Sequence, residues 1–281
     1  FDHADIFDDL AAIQKQFHHL MRTVPGNGLV IYPDNEPNLD AVVAMGCWTQ
    51  IVQTGVVDKL ENESDQGWQA RLLASDGSKY ELYFEGDLAG CVDWHHTGLH
   101  NVRNGMAAAA AARNVGVTPE IAVAALSEFL GVKRRMECLG EANGVSVYDD
   151  FAHHPTAIAT TLEGLRAKVG NEKIIALIEP RSNTMRMGIH KDALALSTTA
   201  ADQVLWFEPA GVDWSLANVV TSSTVPAQIQ SSVDSMIDAC VEASVPNCHV
   251  VIMSNGGFGG IHQKLLQRLA SETEVCAENQ S

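Results

Sequence analysis

Residues 149–154 read DDFAHH, two acids and two histidines held between a short apolar run and Pro155. A carboxylate and an imidazole at such a place suit proton transfer or the handling of a charged ligand. Neighbouring side chains on an extended segment point to opposite sides, so His153 and His154 are badly placed to share one metal ion. The pairs His18-His19 and His95-His96 are discounted on the same ground. On the residues alone two readings stand: a polar turn capping the next helix, or a ligand-facing acid with a nearby histidine.

Three further stretches carry comparable chemistry. Lys133, Arg134 and Arg135 cluster in a chain with 18 Lys+Arg against 35 Asp+Glu. A guanidinium grips phosphate through two parallel hydrogen bonds, worth about 1.5 to 3 kcal/mol for a charged contact, so an anion clamp stands beside the plainer reading of a solvated charge run. EPRSNTMRMG (179–188) sets Arg181 and Arg186 in a loop, and SNGGFGG (254–260) supplies four glycines before a helix. Such a loop can bring backbone amides to a phosphate or carboxylate, or can simply be a tight turn. In FDHADIFDD, Asp2 and His3 could bind Mg²⁺ or merely lead into the positive end of a helix.

These residues need elements to position them. VSVYDDF reads as a buried strand, and PTAIATTLEGLRAKV as a helix with Ile158, Leu162, Leu165 and Val169 on one face. KIIALIEP, QVLWFEP and HVVIMSNGG continue as strands interleaved with helices, the alternation of a doubly wound α/β domain. In such a sheet ligands sit at the carboxyl ends of the strands, which selects 149–154, 179–186 and 254–260. Upstream, WQARLLASDGSKYELYFEG alternates on both sides of Asp76-Gly77, a hairpin signal. GLHNVRNGMAAAAAARN and TPEIAVAALSEFLG read as helices. Ile6, Leu10, Ile13, Phe17 and Leu20 form a helical stripe near the start, and we expect that face to be core. The domain boundary is expected near residue 132.

Composition excludes several classes. A formal net charge of −17 argues against a nucleic-acid partner, which needs a basic face. The six cysteines form no C-x-x-C pair, so no zinc knuckle or dithiol motif is expected, and reduced thiols in a cytoplasmic setting fit better. No apolar run approaches the roughly 20 residues that span a bilayer, so no membrane partner is expected. The chain opens on Phe1 rather than methionine, and upstream sequence is expected.

FDHADIF, GLHNVRNGMAAAAA, GVKRRME and VYDDFAHHPTAI, in this order and spacing, resemble the Mur ligase family, the ATP-dependent amide-forming enzymes of peptidoglycan synthesis. The resemblance covers essentially the whole chain. It implies an α/β fold in which residues 1–131 are the later portion of a Mur-type central ATP-binding domain and 132–281 a Rossmann-like, doubly wound C-terminal domain. EPRSNTMRMG and MSNGGFGGIHQKLL look most like the members that use a murein tripeptide.

Residue by residue, the resemblance implies that His3 helps hold Mg²⁺ and that His100, Asn101 and Asn104 lie against the adenine of ATP. Arg135 is implied to reach the γ-phosphate, and Asp150 and His153 to face the phosphates and the reacting centre. Arg181, Arg186, Ser254 and Asn255 are implied to face the amino substrate. The implied reaction joins L-alanyl-γ-D-glutamyl-meso-diaminopimelate to UDP-N-acetylmuramate through an acyl phosphate, in cytoplasmic peptidoglycan recycling. A UDP-N-acetylmuramate:L-alanine ligase and a non-catalytic nucleotide-binding fragment are the alternatives. The family's phosphate loop, G-x-x-G-K-[ST], does not occur in these 281 residues, so this segment alone is expected to be inactive.

Overall fold

The computed structural model describes residues 2–59, 67–208 and 214–278, with only the backbone of 272–278. The chain divides into two compact units, one ending at Leu130 and the other running from Gly131.

The first unit opens with α1 (Leu10–Met21), β1 (Leu29–Pro33), α2 (Pro37–Ala44) and β2 (Gln50–Val57). The strands β3 (Trp68–Leu72), β4 (Lys79–Phe84) and β5 (Asp87–Asp93) follow, then α3 (Leu99–Asn114) and α4 (Pro119–Ser127). The sheet order is β1-β2-β3-β4-β5, parallel across its first three strands and antiparallel from β3 onward. The β3–β4 hairpin pairs Trp68 with Phe84 and Leu72 with Tyr80. Its turn uses Gly77 at φ +79°, a left-handed conformation that favours glycine. The core sets Trp68, Ala70, Tyr80, Leu82 and Val92 of the sheet against Val102, Met106 and Ala109 of α3.

α1 corrects one expectation. The helix forms, and Asp9 caps it by accepting from the Ala12 amide at 2.7 Å, but none of its residues is buried. Ile6, Phe17 and Leu20 are 69%, 53% and 62% exposed. Periodicity reports that a helix has an apolar face and does not report a partner; the helix beside α1 is the short α2.

The second unit contains β6 (Glu137–Ala142), β7 (Val145–Asp150), α5 (Pro155–Val169), β8 (Ile174–Ile178), α6 (Asn183–Arg186) and α7 (Lys191–Ser197). It continues with β9 (Gln203–Phe207), α8 (Ala217–Ser222), β10 (Ala227–Gln230), α9 (Val233–Ala243), β11 (Cys248–Met253) and α10 (Ile261–Glu278). The order is β10-β9-β8-β11-β7-β6, all parallel except the edge strand β6. Strand side chains alternate between two cores, as the pleat requires. Ile174, Ala176 and Ile178 pack with Ile158, Leu162 and Leu165 of α5, while Ile175 and Leu177 face Met236 of α9 and Ile261 and Leu265 of α10. Burying the three α5 side chains contributes roughly 5 to 9 kcal/mol before entropy. Helices on both faces of a largely parallel sheet make this a Rossmann-like unit. Among the described residues no helix is long and apolar enough to cross a membrane.

Candidate active site

β11, the last strand in the chain, lies between β7 and β8, pairing Met253 with both Asp150 and Ile178. The segments that leave these strands, 151–154, 254–260 and 179–182, therefore start side by side at one edge of the sheet. They carry most of the residues singled out from the sequence.

Asp150 is the hub of the first group. It is 4% exposed, and its carboxylate turns inward, accepting from the Met136 amide at 2.9 Å and the Ala152 amide at 2.8 Å, with the Thr161 hydroxyl at 3.4 Å. Burial pushes its pKa above the ordinary value, against the pull of the Ala152 and Met136 amides and the Arg135 charge. Its carbonyl also accepts the Ser254 amide at 3.1 Å, joining β7 to the β11 loop. Asp150 thus touches both the residue after Arg135 and the residue before His153.

Phe151 organises the charges around it. The Arg134 and Arg135 guanidinium carbons lie 5.1 and 5.2 Å from its ring centroid, within cation–π range, and the His153 ring meets it edge-on at 5.3 Å. His153 Nδ1 is 2.9 Å from the Phe151 carbonyl. A carbonyl only accepts, so this contact assigns the proton to Nδ1 and leaves Nε2 of the neutral ring with a lone pair. His154 is used otherwise: its Nδ1 accepts the Thr156 amide at 3.2 Å and caps α5, with Pro155 in the first turn.

The second group lies across β8 and β11. Ser254, fully buried, donates its hydroxyl to Glu179 Oε2 at 2.5 Å and accepts the Gly256 amide at 2.9 Å. Asn255 Oδ1 is buried without a hydrogen-bond partner. A Cβ built on Gly256 would lie 2.6 Å from Arg181 Cζ and would overlap the guanidinium, so Arg181 is seated across this glycine. Arg186 is exposed at the end of α6, whose first turn Ser182 caps.

The structure therefore brings Arg135, Asp150 and His153 together, and Arg181 with Ser254 and Asn255. His3, His100, Asn101 and Asn104 belong to the first unit. His100 and Asn104 are one turn apart on α3, and Asn101 donates to the Thr97 carbonyl at 2.8 Å at the helix entry. The strand-end rule took in Glu179 and Phe151 without giving either a role, and sequence reasoning passed over His262. His262 Nε2 is 3.1 Å from Asp149 Oδ1, within ion-pair reach but not aligned as a hydrogen bond. Their strand-end position is the one sequence signal that marks Glu179 and Phe151; the His262 contact depends on tertiary folding.

Among the described residues no group of three His, Cys, Asp or Glu side chains could hold an ion. Mg²⁺ in phosphoryl-transfer sites is usually held by one or two carboxylates and the substrate phosphates, so His3 and the neighbouring Asp2 would supply only part of an ion's shell. These residues do not by themselves fit a protein-held Mg²⁺.

Residues 134–256 match the family model described as Mur ligase, glutamate ligase domain. The chain is also 52% identical over 278 residues to the UDP-N-acetylmuramate–L-alanyl-γ-D-glutamyl-meso-2,6-diaminoheptandioate ligase of Escherichia coli K12. This chain belongs to the Mur ligase family. A relative of the same name from Haemophilus influenzae is 44% identical over 270 residues. These alignments take in 98% and 96% of this Mur ligase chain but 59% and 58% of the relatives, so it spans less than two thirds of their length. A crystal structure of a murein peptide ligase from Psychrobacter arcticus superposes with a TM-score of 0.69 at 47% identity, over 94% of this chain and 56% of that one. The UDP-N-acetylmuramate–alanine ligase of Thermotoga maritima shares the Mur ligase fold at a TM-score of 0.72 and 19% identity, over 96% of this chain and 58% of that one.

Proposed function

We propose that these residues form part of an ATP- and Mg²⁺-dependent ligase that joins L-alanyl-γ-D-glutamyl-meso-diaminopimelate to UDP-N-acetylmuramate in the bacterial cytoplasm. The observation that carries this reading is the 52% identity to a ligase of that name along 98% of the chain. In this reading the first unit is the later part of a central ATP-binding domain, with His3, His100, Asn101 and Asn104 on the nucleotide side. The phosphate loop comes from the part of the relatives' length that this chain does not span.

ATP, when bound, supplies the phosphoryl group that activates the lactyl carboxylate as an acyl phosphate. Arg135, stacked on Phe151, neutralises charge on the phosphates. His153 takes a proton at Nε2 from the incoming amine. Asp150 serves both by fixing the backbone at Met136 and Ala152. Arg181 and Arg186, with Ser254 and Asn255, receive the acceptor peptide, whose carboxylates suit a guanidinium. Holding two reactants in place can supply roughly 7 to 11 kcal/mol of a barrier.

The test is phosphate release by the full-length enzyme with ATP, Mg²⁺ and UDP-N-acetylmuramate, comparing the tripeptide with L-alanine. Tripeptide-dependent release is expected. Preference for L-alanine would move the chain to the muramate:alanine ligases, and no release with either would leave a non-catalytic nucleotide-binding protein.

A further inference from the structure

Arg134 and Arg135 are adjacent and carry the same charge, but Arg134 is committed within its own unit. Its backbone lies in the left-handed region, φ +61°, which a non-glycine residue holds only when its surroundings impose it. The Arg134 amide donates to Glu137 Oε2 at 2.9 Å, and its carbonyl accepts the Phe151 amide at 2.9 Å. Its side chain reaches across the strand ends. Nη2 donates to the carbonyls of Ser254 at 2.5 Å and Gly256 at 2.8 Å, and Nε lies 3.4 Å from Asp149 Oδ2.

We infer that Arg134 is a positioning residue for acceptor binding: it anchors the carbonyl side of the 254–256 loop so that Ser254, Asn255 and the Arg181 seat on Gly256 keep one arrangement. The loop anchor stands on geometry alone, and its effect on the acceptor rests on the function proposed above. The two N–H groups of Nη2 serve the two carbonyls while Nε faces Asp149, so one edge of the fork is engaged from inside the protein. A planar fork can do this from one fixed plane, whereas an ammonium is a single point charge on a flexible stem. Arg135 has no such commitment to the loop and is the arginine left to meet phosphate.

Two experiments test the inference. In the full-length enzyme, Arg134→Met should speed hydrogen exchange at the Ser254 and Gly256 amides about 10-fold or more while leaving α3 amides unchanged, and Arg135→Met should leave the loop protected. In the full-length enzyme, Arg134→Met should raise KM for the tripeptide about 10-fold with KM for ATP changed less than about 2-fold, and Arg134→Lys should restore only part of the loss. Unchanged loop exchange, or an equal rise in KM for ATP, overturns the proposal. If Arg134→Met does not fold, Asp149→Asn and Arg134→Lys are read in the same exchange assay. A wild-type enzyme that makes no tripeptide product sinks the functional reading, while the exchange arm still judges Arg134.

Discussion

The Asp150 carboxylate accepts the Met136 amide at 2.9 Å, so the residue following Arg135 is tied directly to the end of β7. Met136 sits at φ +48°, a conformation unfavourable for a side chain that size, and the Asp150 bond is one of the contacts that keep it there.

Asp150→Asn follows from this bond. An amide offers one acceptor oxygen where the carboxylate offers two, so the Met136 or Ala152 amide then faces an NH₂, at a cost of about 1 to 3 kcal/mol. The pH dependence has a definite sign. Folding raises the Asp150 pKa, so its favourable contribution is complete below the ordinary value of 3.8 and is lost as pH rises through the higher folded value. The asparagine variant has no such loss, and the stability difference should shift in its favour as pH climbs through that window. Urea midpoints of both proteins between about pH 3.5 and 7 check this; a shift the opposite way would mean that the fold stabilises the ionised carboxylate.

Gly256→Ala isolates the seat of Arg181. The obstructing guanidinium ends a flexible, exposed side chain, so it can move, and the stability change should stay within about 0.5 kcal/mol. The loss should appear instead as a raised KM for the tripeptide in the full-length enzyme. If Gly256→Ala leaves that KM unchanged while Arg181→Ala raises it, the seat is irrelevant to binding.

Gly105→Ala tests the packing of α3. A Cβ there would come within 2.5 Å of Tyr80 Oη and 3.0 Å of Trp94 Cη2, both in the buried core. Alanine gains up to about 1 kcal/mol of helix propensity, but overpacking costs typically 1 to 3 kcal/mol and cannot be relieved by a surface side chain, so destabilisation wins. A variant as stable as the parent in urea would refute this packing argument.

Thiol labelling separates the cysteines. Burial pushes the Cys240 thiol up to about 12 and also raises Cys248, whereas Cys91 and Cys138 are exposed. At pH 8 a thiol at 12 is ionised about one part in ten thousand, so an alkylating reagent should modify Cys91 and Cys138 and spare Cys240 and Cys248 until the chain unfolds. Labelling of Cys240 in the folded chain would contradict the buried core.

Fold and site were legible to different depths. IIALI and HVVIM could be read because strands covered on both faces become continuous apolar runs, and the turn at Gly77 because few residues tolerate its geometry. β5 and β6 carry internal glycines, and β6 shifts register between Cys138 and Gly140, so their alternation was too broken to see. Asp150 and His153 stood out as polar residues at a buried strand's end. The inward turn of the Asp150 carboxylate did not, since it depends on Met136 and Thr161, and Arg134 meets Ser254 across 120 residues of chain.

The central place of β11 bears on how the molecule is made. β7 and β8 emerge early from the ribosome but do not pair with each other, and the slot between them stays open until Cys248–Met253 arrives. Such long-range pairing is slow and leaves two sticky edges exposed meanwhile. The candidate site therefore cannot be complete before β11 is made, and a nascent chain stopped short of β11 would hold Arg135, Asp150 and His153 without the loop that Arg134 is built to grasp.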